Sequence, residues 1–235
     1  MREFLHRHGN STNFQLLIYG LISIIALILS GINVLSGEDS FQKYFGTYPP
    51  MLVMAIVSSL GGGIIFWLWK RFSCYVLKPK PPLLQWNLII CVLISSMIAI
   101  LLDINVGFNE DINVLFPFSL LFYPAIGFLV EVLFHILPIS VILFLTSSIF
   151  NTPHFKDMWW PYIIIVSLLE PTFQIFFMDA FSIGAIIIWL NIYFLNLVQL
   201  YTYLKFGFVS MYFLRIIYYL VWHVIWGYFR LDLLF

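Results

Sequence analysis

The chain has 235 residues, of which 62% are hydrophobic and only 9% are charged, and its formal net charge is zero. A soluble domain carries about 25% charged residues, so the composition excludes an ordinary soluble protein and predicts that lipid surrounds most of the chain. Zero net charge argues against nucleic acid as a partner, because nucleic-acid-binding domains carry clustered positive charge. No polar stretch of domain size interrupts the apolar sequence. We therefore expect one membrane-embedded domain over residues 1–235, with the lipid bilayer as its first partner.

The apolar runs are long enough to cross a membrane as helices, which needs about twenty residues each. In chain order, three spans fall within residues 1–113 and four follow. The predicted spans are Phe14–Leu35, Met51–Trp69, Leu84–Leu102, Val114–Phe150, Trp159–Met178, Phe181–Leu204 and Phe206–Phe229. This pattern predicts an all-α fold, a polytopic bundle of seven transmembrane helices.

The fourth run, Val114–Phe150, is too long for one straight span, since a helix of that length would reach about 55 Å. It must tilt, break near Pro138, or form two spans. We predict one long kinked central helix, and two separate helices, which would make eight spans, are the alternative.

The short loops predict the orientation of the chain. Basic residues accumulate in short cytoplasmic loops of membrane proteins. The basic residues Arg2 and Arg7 precede the first span, whereas the loops that contain Glu38 and Glu110 are more acidic. Four further basic residues fill the loop between the second and third spans: Lys70, Arg71, Lys78 and Lys80. We therefore predict that the N-terminus and this basic loop lie in the cytoplasm.

Small residues recur every four positions on the second span, at Ala55, Ser59 and Gly63. Small residues at this spacing let membrane helices approach each other closely. We predict that this stripe is a packing face.

Several apolar spans carry ionisable side chains, which are costly in lipid and therefore seek each other or a water-filled cavity. Residues four positions apart share a helix face. Glu131 and His135 therefore point the same way, and so do Glu170 and Gln174. His223 has a glycine four residues later, which leaves space beside its ring.

Two interpretations of these residues remain open. As a functional site, a carboxylate in a low-dielectric cavity can act as a general base, and a nearby histidine can hold a water or donate to an oxyanion. Such a site can hydrolyse a peptide bond and requires no cofactor. The same groups, Glu131, His135, Glu170 and His223, could instead bind zinc or another divalent ion, although no HExxH motif is present.

The structural interpretation assigns the same polar residues to helix packing. Asn191, Asn196 and Gln199 would form hydrogen bonds between helices, and Arg215 would pair with a glutamate.

Three short motifs carry a family resemblance. In order, they are VEVLFH (Val130–His135), EPTFQ (Glu170–Gln174) and HVIWG (His223–Gly227). They resemble the EExxxR, FxxxH and HxxxN or HxxxD motifs of the CPBP intramembrane endopeptidases. That family includes the CAAX-prenyl proteases and bacteriocin-processing or immunity proteins. The resemblance covers roughly residues 114–229, which would form the CPBP-like core behind three N-terminal spans.

The family's catalytic constellation is broken in three places, and the phenylalanine of its second motif matches Glu170. The family's catalytic glutamate matches Val130, its oxyanion-stabilising histidine matches Gln174, and its final Asn or Asp matches Gly227. The family's second glutamate matches Glu131 and its arginine matches His135. Of the residues that the family uses for catalysis, His223 alone is retained.

The resemblance implies either a rebuilt catalytic site or an inactive relative. A rebuilt site would use Glu170, or else Glu131, as the base, with His135 and His223 as water and oxyanion partners and Gln174 as an amide donor. The protein would then be a divergent glutamic-type endopeptidase of a bacterial plasma membrane that cleaves a peptide or a membrane-protein segment. The alternatives are an inactive interaction or bacteriocin-immunity protein of the same fold and, third, a proton- or metal-coupled transporter, for which the sequence shows no internal repeat.

Overall fold

The computed structural model describes residues 11–37, 40–78, 86–150, 159–175 and 182–235. The regular secondary structure of these residues is helical throughout. Six of the helices are long and apolar enough to cross a membrane. The predicted all-α polytopic bundle is therefore confirmed, and the chain is an integral membrane protein.

The long helices are α1 (Thr12–Leu35), α3 (Pro50–Phe72), α4 (Trp86–Val106), α5, α8 (Ile183–Phe206) and α9. Helix α5 joins Ser119–Val130, a π-helical turn at Glu131–Ile136, and Leu137–Phe150. Helix α9 likewise joins Phe208–Tyr219, a π-helical turn at Leu220–Trp226, and Gly227–Leu234. The shorter elements are α2 (Gln42–Phe45), a 3₁₀ turn at Glu110–Ile112, α6 (Trp159–Ser167) and α7 (Leu169–Ile175).

Local sequence signals account for several helix ends. Ser11 and Ser182 cap α1 and α8, because their hydroxyl oxygens accept hydrogen bonds from the N–H groups of Phe14 and Ala185. Gly207 joins α8 to α9 with a φ of 99°. A Cβ at Gly207 would lie 2.8 Å from the carbonyl oxygen of Val76, so only glycine fits this turn.

The run Val114–Phe150 forms one long helix from Ser119 onward, as predicted, and not two spans. Its irregularity is the π-helical turn, in which the N–H of Leu137 bonds to the carbonyl of Val132. This turn ends two residues before Pro138, where a break was expected. A π-helical turn inserts one extra residue into the helix and is frequent at functional sites.

The predicted fifth span, Trp159–Met178, is broken. Helices α6 and α7 meet at Leu168, and neither is long enough to cross a membrane alone. Pro171 has no N–H group, which leaves the carbonyl of Ser167 without its donor within the helix. The Nδ2 of Asn196 on α8 donates to that carbonyl at 3.3 Å instead. Residues 176–178 lie outside the described part of the chain, so the count of seven spans stays a prediction.

Helix α5 is central in the bundle, in contact with α1, α3, α6 and α9, while α9 also contacts α4 and α8. Of the basic residues that predict the orientation, Arg2, Arg7 and Lys80 lie outside the described residues. Residues 73–78, which follow α3, lie at one end of the bundle. There the side chain of Gln15 bonds to the backbone of Val76 and Leu77, and Tyr75 accepts a bond from Phe208 N–H. The start of α1 and the basic loop thus share one end of the bundle. The predicted orientation requires this arrangement. The side of the membrane that this end of the bundle faces stays a prediction.

The predicted packing stripe on α3 is wrong. Ser59 and Gly63 are exposed, and a Cβ at Gly63 would meet nothing within 4 Å. The close approach is at Gly61, where a Cβ would meet the hydroxyl of Tyr19 and lie 2.9 Å from Val132 Cγ1. Helix α3 has small residues on more than one face, and their spacing does not indicate which face meets its neighbours.

Candidate functional site

Three helices bring an ion-pair cluster to the middle of the bundle. Arg215 on α9 donates from Nε to Glu131 Oε1 on α5, at 2.9 Å. Its Nη1 and Nη2 donate to both carboxylate oxygens of Glu170 on α7, at 2.9 and 2.8 Å. All three side chains are at most 3% exposed. Arg215 therefore ties α5, α7 and α9 together, as the structural interpretation expected.

His135 joins this cluster through Glu131. Its Nδ1 lies 2.7 Å from Glu131 Oε2, which confirms that the two residues share a helix face. Both side chains are completely buried. Although Nδ1 and Oε2 are at ion-pair distance, neither atom meets the geometry of a hydrogen bond, and the other ring nitrogen, Nε2, also has no hydrogen-bond partner among the described residues. A buried polar atom without a partner is uncommon and calls for a water, a proton or a ligand.

Gln174 adds an exposed amide to the cluster. Its Nε2 donates to Glu170 Oε1 at 3.2 Å, and the side chain lies one turn further along α7. The structure thus brings four of the five predicted site residues into one network: Glu131, His135, Glu170 and Gln174.

The charges of the cluster do not balance without a further proton. Two carboxylates face one guanidinium, so Glu131, Glu170 and Arg215 together carry one negative charge when His135 is neutral. An uncompensated charge is costly inside a membrane protein. A proton on His135 would make the cluster neutral.

Gly127 makes room for the arginine. A Cβ at Gly127 would lie 3.1 Å from the ring of Tyr219 and 3.3 Å from Cγ of Arg215. The guanidinium carbon of Arg215 lies 5.6 Å from the centre of the Tyr219 ring, within the range of a cation–π contact. A larger residue at position 127 would displace the side chain that holds both glutamates.

His223 hydrogen-bonds outside this network. Its Nδ1 lies 2.6 Å from Asn113 Oδ1, and its ring stacks on Tyr123 with 4.4 Å between centroids. The space that Gly227 leaves is filled by Asn113, since a Cβ there would lie 3.1 Å from Asn113 Cβ. The ring of Tyr219 lies 5.0 Å from that of His223 and also contacts Arg215. The sequence analysis missed Asn113, because it immediately precedes the fourth predicted span.

A second buried ion pair lies at the end of the bundle opposite the basic loop. The sequence analysis did not predict this pair either. Arg230 donates to both oxygens of Asp103 at 2.8 and 2.9 Å, and Trp226 Nε1 donates to the same carboxylate at 2.6 Å. The remaining N–H groups of Arg230 donate to the carbonyls of Phe108, Asn109 and Glu110. Asp103 and Arg230 each fell one residue outside a predicted span. An acid and an arginine at span ends on the same side of the bundle were the available signal.

Polar residues of α8 form the hydrogen bonds that the structural interpretation predicted. Asn191 exchanges two bonds with Ser95, at 2.8 and 3.0 Å, and Asn196 bonds to the carbonyl of Ser167. Gln199 is fully buried, and its amide has no partner among the described residues. For Asn191 and Asn196 the packing role is confirmed.

The side chains of the cluster that could ligate a metal ion surround an arginine and not an open cation site. Arg215 lies between the two carboxylates, where a divalent ion would otherwise be held. Within the described ranges, no group of three or more His, Cys, Asp or Glu side chains is placed to hold a metal ion.

The fold and the cluster together define a helical integral membrane protein with a buried ion-pair centre. Comparisons with family models, with curated proteins and with solved structures found no match. The centre contains a histidine close to a carboxylate, a second carboxylate that an arginine holds, and an exposed amide. These groups define the chemistry that the centre can perform.

Proposed function

We propose that the protein is a divergent intramembrane endopeptidase of the type that its motifs resemble, in which the Glu131–His135 pair activates water. The observation that carries this proposal is the arrangement of His135. One ring nitrogen lies 2.7 Å from a carboxylate oxygen, and the other is buried with no hydrogen-bond partner in the part of the chain that the structure describes. A carboxylate-oriented imidazole with a free nitrogen is the general-base arrangement of many hydrolases.

In this mechanism His135 Nε2 accepts a proton from water while the water oxygen attacks the carbonyl carbon of a peptide bond. Glu131 lies close enough to Nδ1 to orient the ring and to stabilise the imidazolium that forms. The same proton then passes from Nε2 to the leaving amine, so that one water and one peptide bond become an acid and an amine. The imidazolium also neutralises the negative charge of the cluster.

The sequence favoured Glu170 as the base, and the geometry argues for another role. Both of its oxygens accept from Arg215, and one also accepts from Gln174. A proton taken from water by Glu170 would remove the charge that holds Arg215, whereas His135 Nε2 has no bond to lose. We therefore assign Glu170 to hold Arg215, which in turn fixes Glu131. Gln174 is exposed and keeps a second amide hydrogen with which to stabilise an oxyanion.

The proposed substrate is a peptide or membrane-protein segment, and the proposed location is a bacterial plasma membrane with the N-terminus in the cytoplasm. The family resemblance supports the substrate class and the type of organism. The basic loop, at the same end of the bundle as the start of α1, supports the orientation.

A specific observation favours a second candidate, a non-catalytic interaction or immunity protein. Glu131, His135, Glu170 and Arg215 are all between 0 and 3% exposed. A closed ion-pair cluster of this kind can simply lock three helices together. In that case His135 serves the fold, and its substitution changes stability without changing any cleavage.

The two candidates separate in membranes from cells that express the full chain. We would sequence the new protein N-termini produced in the presence of the parent, His135→Gln, Glu131→Gln and His223→Gln. The protease proposal expects termini that appear with the parent and with His223→Gln and disappear with the other two variants. All four proteins must be present in equal amounts in the membrane. Identical termini with the parent and with His135→Gln would refute the proposal.

A further inference from the structure

An apolar groove runs along the outer surface of the bundle, apart from the ion-pair cluster. It lies between α3 and the second half of α5 and has a volume of about 440 Å³. Its lining includes Gly63, Ile64 and Trp67 from α3 and Leu137, Val141 and Phe144 from α5. Gly63 creates part of this space, because a Cβ there would meet nothing within 4 Å. The groove opens to the surroundings of the bundle, which are hydrocarbon in an integral membrane protein.

One end of the groove is basic. Lys70 and Arg71 follow Trp67 by one helical turn and therefore lie on the same side of α3. Both are exposed, and no acidic side chain of the described residues pairs with either. The ammonium of Lys70 lies 4.7 Å from the ring centre of Trp69. Tryptophan and lysine together are typical of the membrane–water interface.

The facing helix, α5, carries hydroxyl groups at the level of Lys70 and Arg71. Gly61 lies against Val132, and Trp67 contacts Phe144 with ring centroids 6.1 Å apart, so α3 and α5 run side by side in the same direction. One turn beyond Phe144 are Ser147 and Ser148, whose hydroxyls donate to the carbonyl of Phe144. Two basic residues of α3 and two hydroxyl residues of α5 therefore lie one helical turn beyond this end of the groove.

We propose that this groove binds an anionic phospholipid. One acyl chain lies in the groove between α3 and α5, and the phosphate group pairs with Lys70 and Arg71. The apolar lining selects a hydrocarbon chain, because the groove faces the bilayer core. The basic end selects the head group, since arginine binds phosphate with two parallel hydrogen bonds and lysine adds a point charge. A zwitterionic lipid offers the same chains without the net negative charge.

The test uses the full-length protein purified in a zwitterionic detergent. Palmitoyl-oleoyl phosphatidylglycerol and the phosphatidylcholine with the same chains are titrated separately, and bound lipid is counted by native mass spectrometry. Each basic side chain near an anionic lipid contributes about fivefold in affinity, so two give a preference of about thirtyfold. Equal binding of the two lipids by the parent would overturn the proposal. Binding of inorganic phosphate with equal affinity would also overturn it, because the ligand would then be a free anion.

Two variants address the two parts of the site separately. The double variant Lys70→Gln/Arg71→Gln is expected to lose the preference for phosphatidylglycerol while still binding both lipids. Gly63→Leu adds a side chain to the groove at a position where a Cβ would meet nothing within 4 Å, and it is expected to weaken the binding of both lipids.

Two matched controls accompany these variants. Gly20→Leu adds the same side chain on α1, at a position where a Cβ would also meet nothing within 4 Å. Lys205→Gln removes a lysine that lies next to Lys78, at the same end of the bundle. Both controls are expected to bind lipid like the parent. Gly63→Leu binding like Gly20→Leu, or Lys205→Gln losing the preference as the double variant does, would contradict the proposed site.

Discussion

Replacement of Arg215 by methionine should expose how much the ion-pair cluster contributes to the fold. The change keeps most of the side-chain volume but removes three charge-assisted hydrogen bonds, at 2.8 to 2.9 Å, to two buried carboxylates. Removing one partner of a buried ion pair typically costs about 3–5 kcal/mol, because the remaining charge is left uncompensated. The net charge of the cluster, with His135 neutral, would change from −1 to −2. We expect a loss of unfolding free energy of about that size for Arg215→Met.

The same charge count predicts an asymmetry that a simple loss of packing would not produce. Glu170→Gln brings the cluster to zero net charge and should cost less, about 1.5–3 kcal/mol, the value of hydrogen bonds to a charged group. Adding Glu170→Gln to Arg215→Met should then recover part of the stability, with a coupling of about 0.5–3 kcal/mol.

The measurement is equilibrium unfolding of the full chain by sodium dodecyl sulfate in mixed micelles. The matched control is Arg71→Met, an exposed arginine at the end of α3 whose loss should change the unfolding free energy by less than about 0.5 kcal/mol. Arg215→Met unfolding like the parent, or strictly additive costs in the double variant, would refute the reasoning.

Three further predictions concern packing and orientation. Asn196→Leu should lower the unfolding free energy by about 1–3 kcal/mol in the same assay, because the carbonyl of Ser167 loses its donor; an unchanged value would contradict that bond. Gly61→Ala should destabilise the protein by about 1–3 kcal/mol, since its Cβ would press on side chains of α1 and α5. Gly63→Ala, its control in open space, should be neutral or stabilising by up to about 1 kcal/mol. A reporter fused within residues 70–82 should be accessible from the cytoplasm, and labelling from outside the cell would reverse the orientation.

Composition and residue spacing were sufficient to predict the class of fold and many of the residues of the site. Spans of about twenty apolar residues can only be helices, because lipid offers no hydrogen bonds to an open backbone. The pairing of Glu131 with His135 was also predictable, since residues four apart share a face of any helix. The cost of charge in lipid placed Glu170 and Arg215 inside the bundle before their partners were known.

Which polar groups meet depends on how the helices pack against each other, and the sequence of a single helix does not define that packing. Arg215 pairs with residues 84 and 45 positions away, and His223 pairs with Asn113, 110 positions away. Each helix is apolar on most of its sides, so its sequence does not define its rotation about its own axis. A rotation equivalent to one residue, about 100°, replaces the entire set of neighbours. That rotation excluded the stripe at Gly63 from the packed interface, placed Gly61 there, and gave His223 a partner outside the cluster.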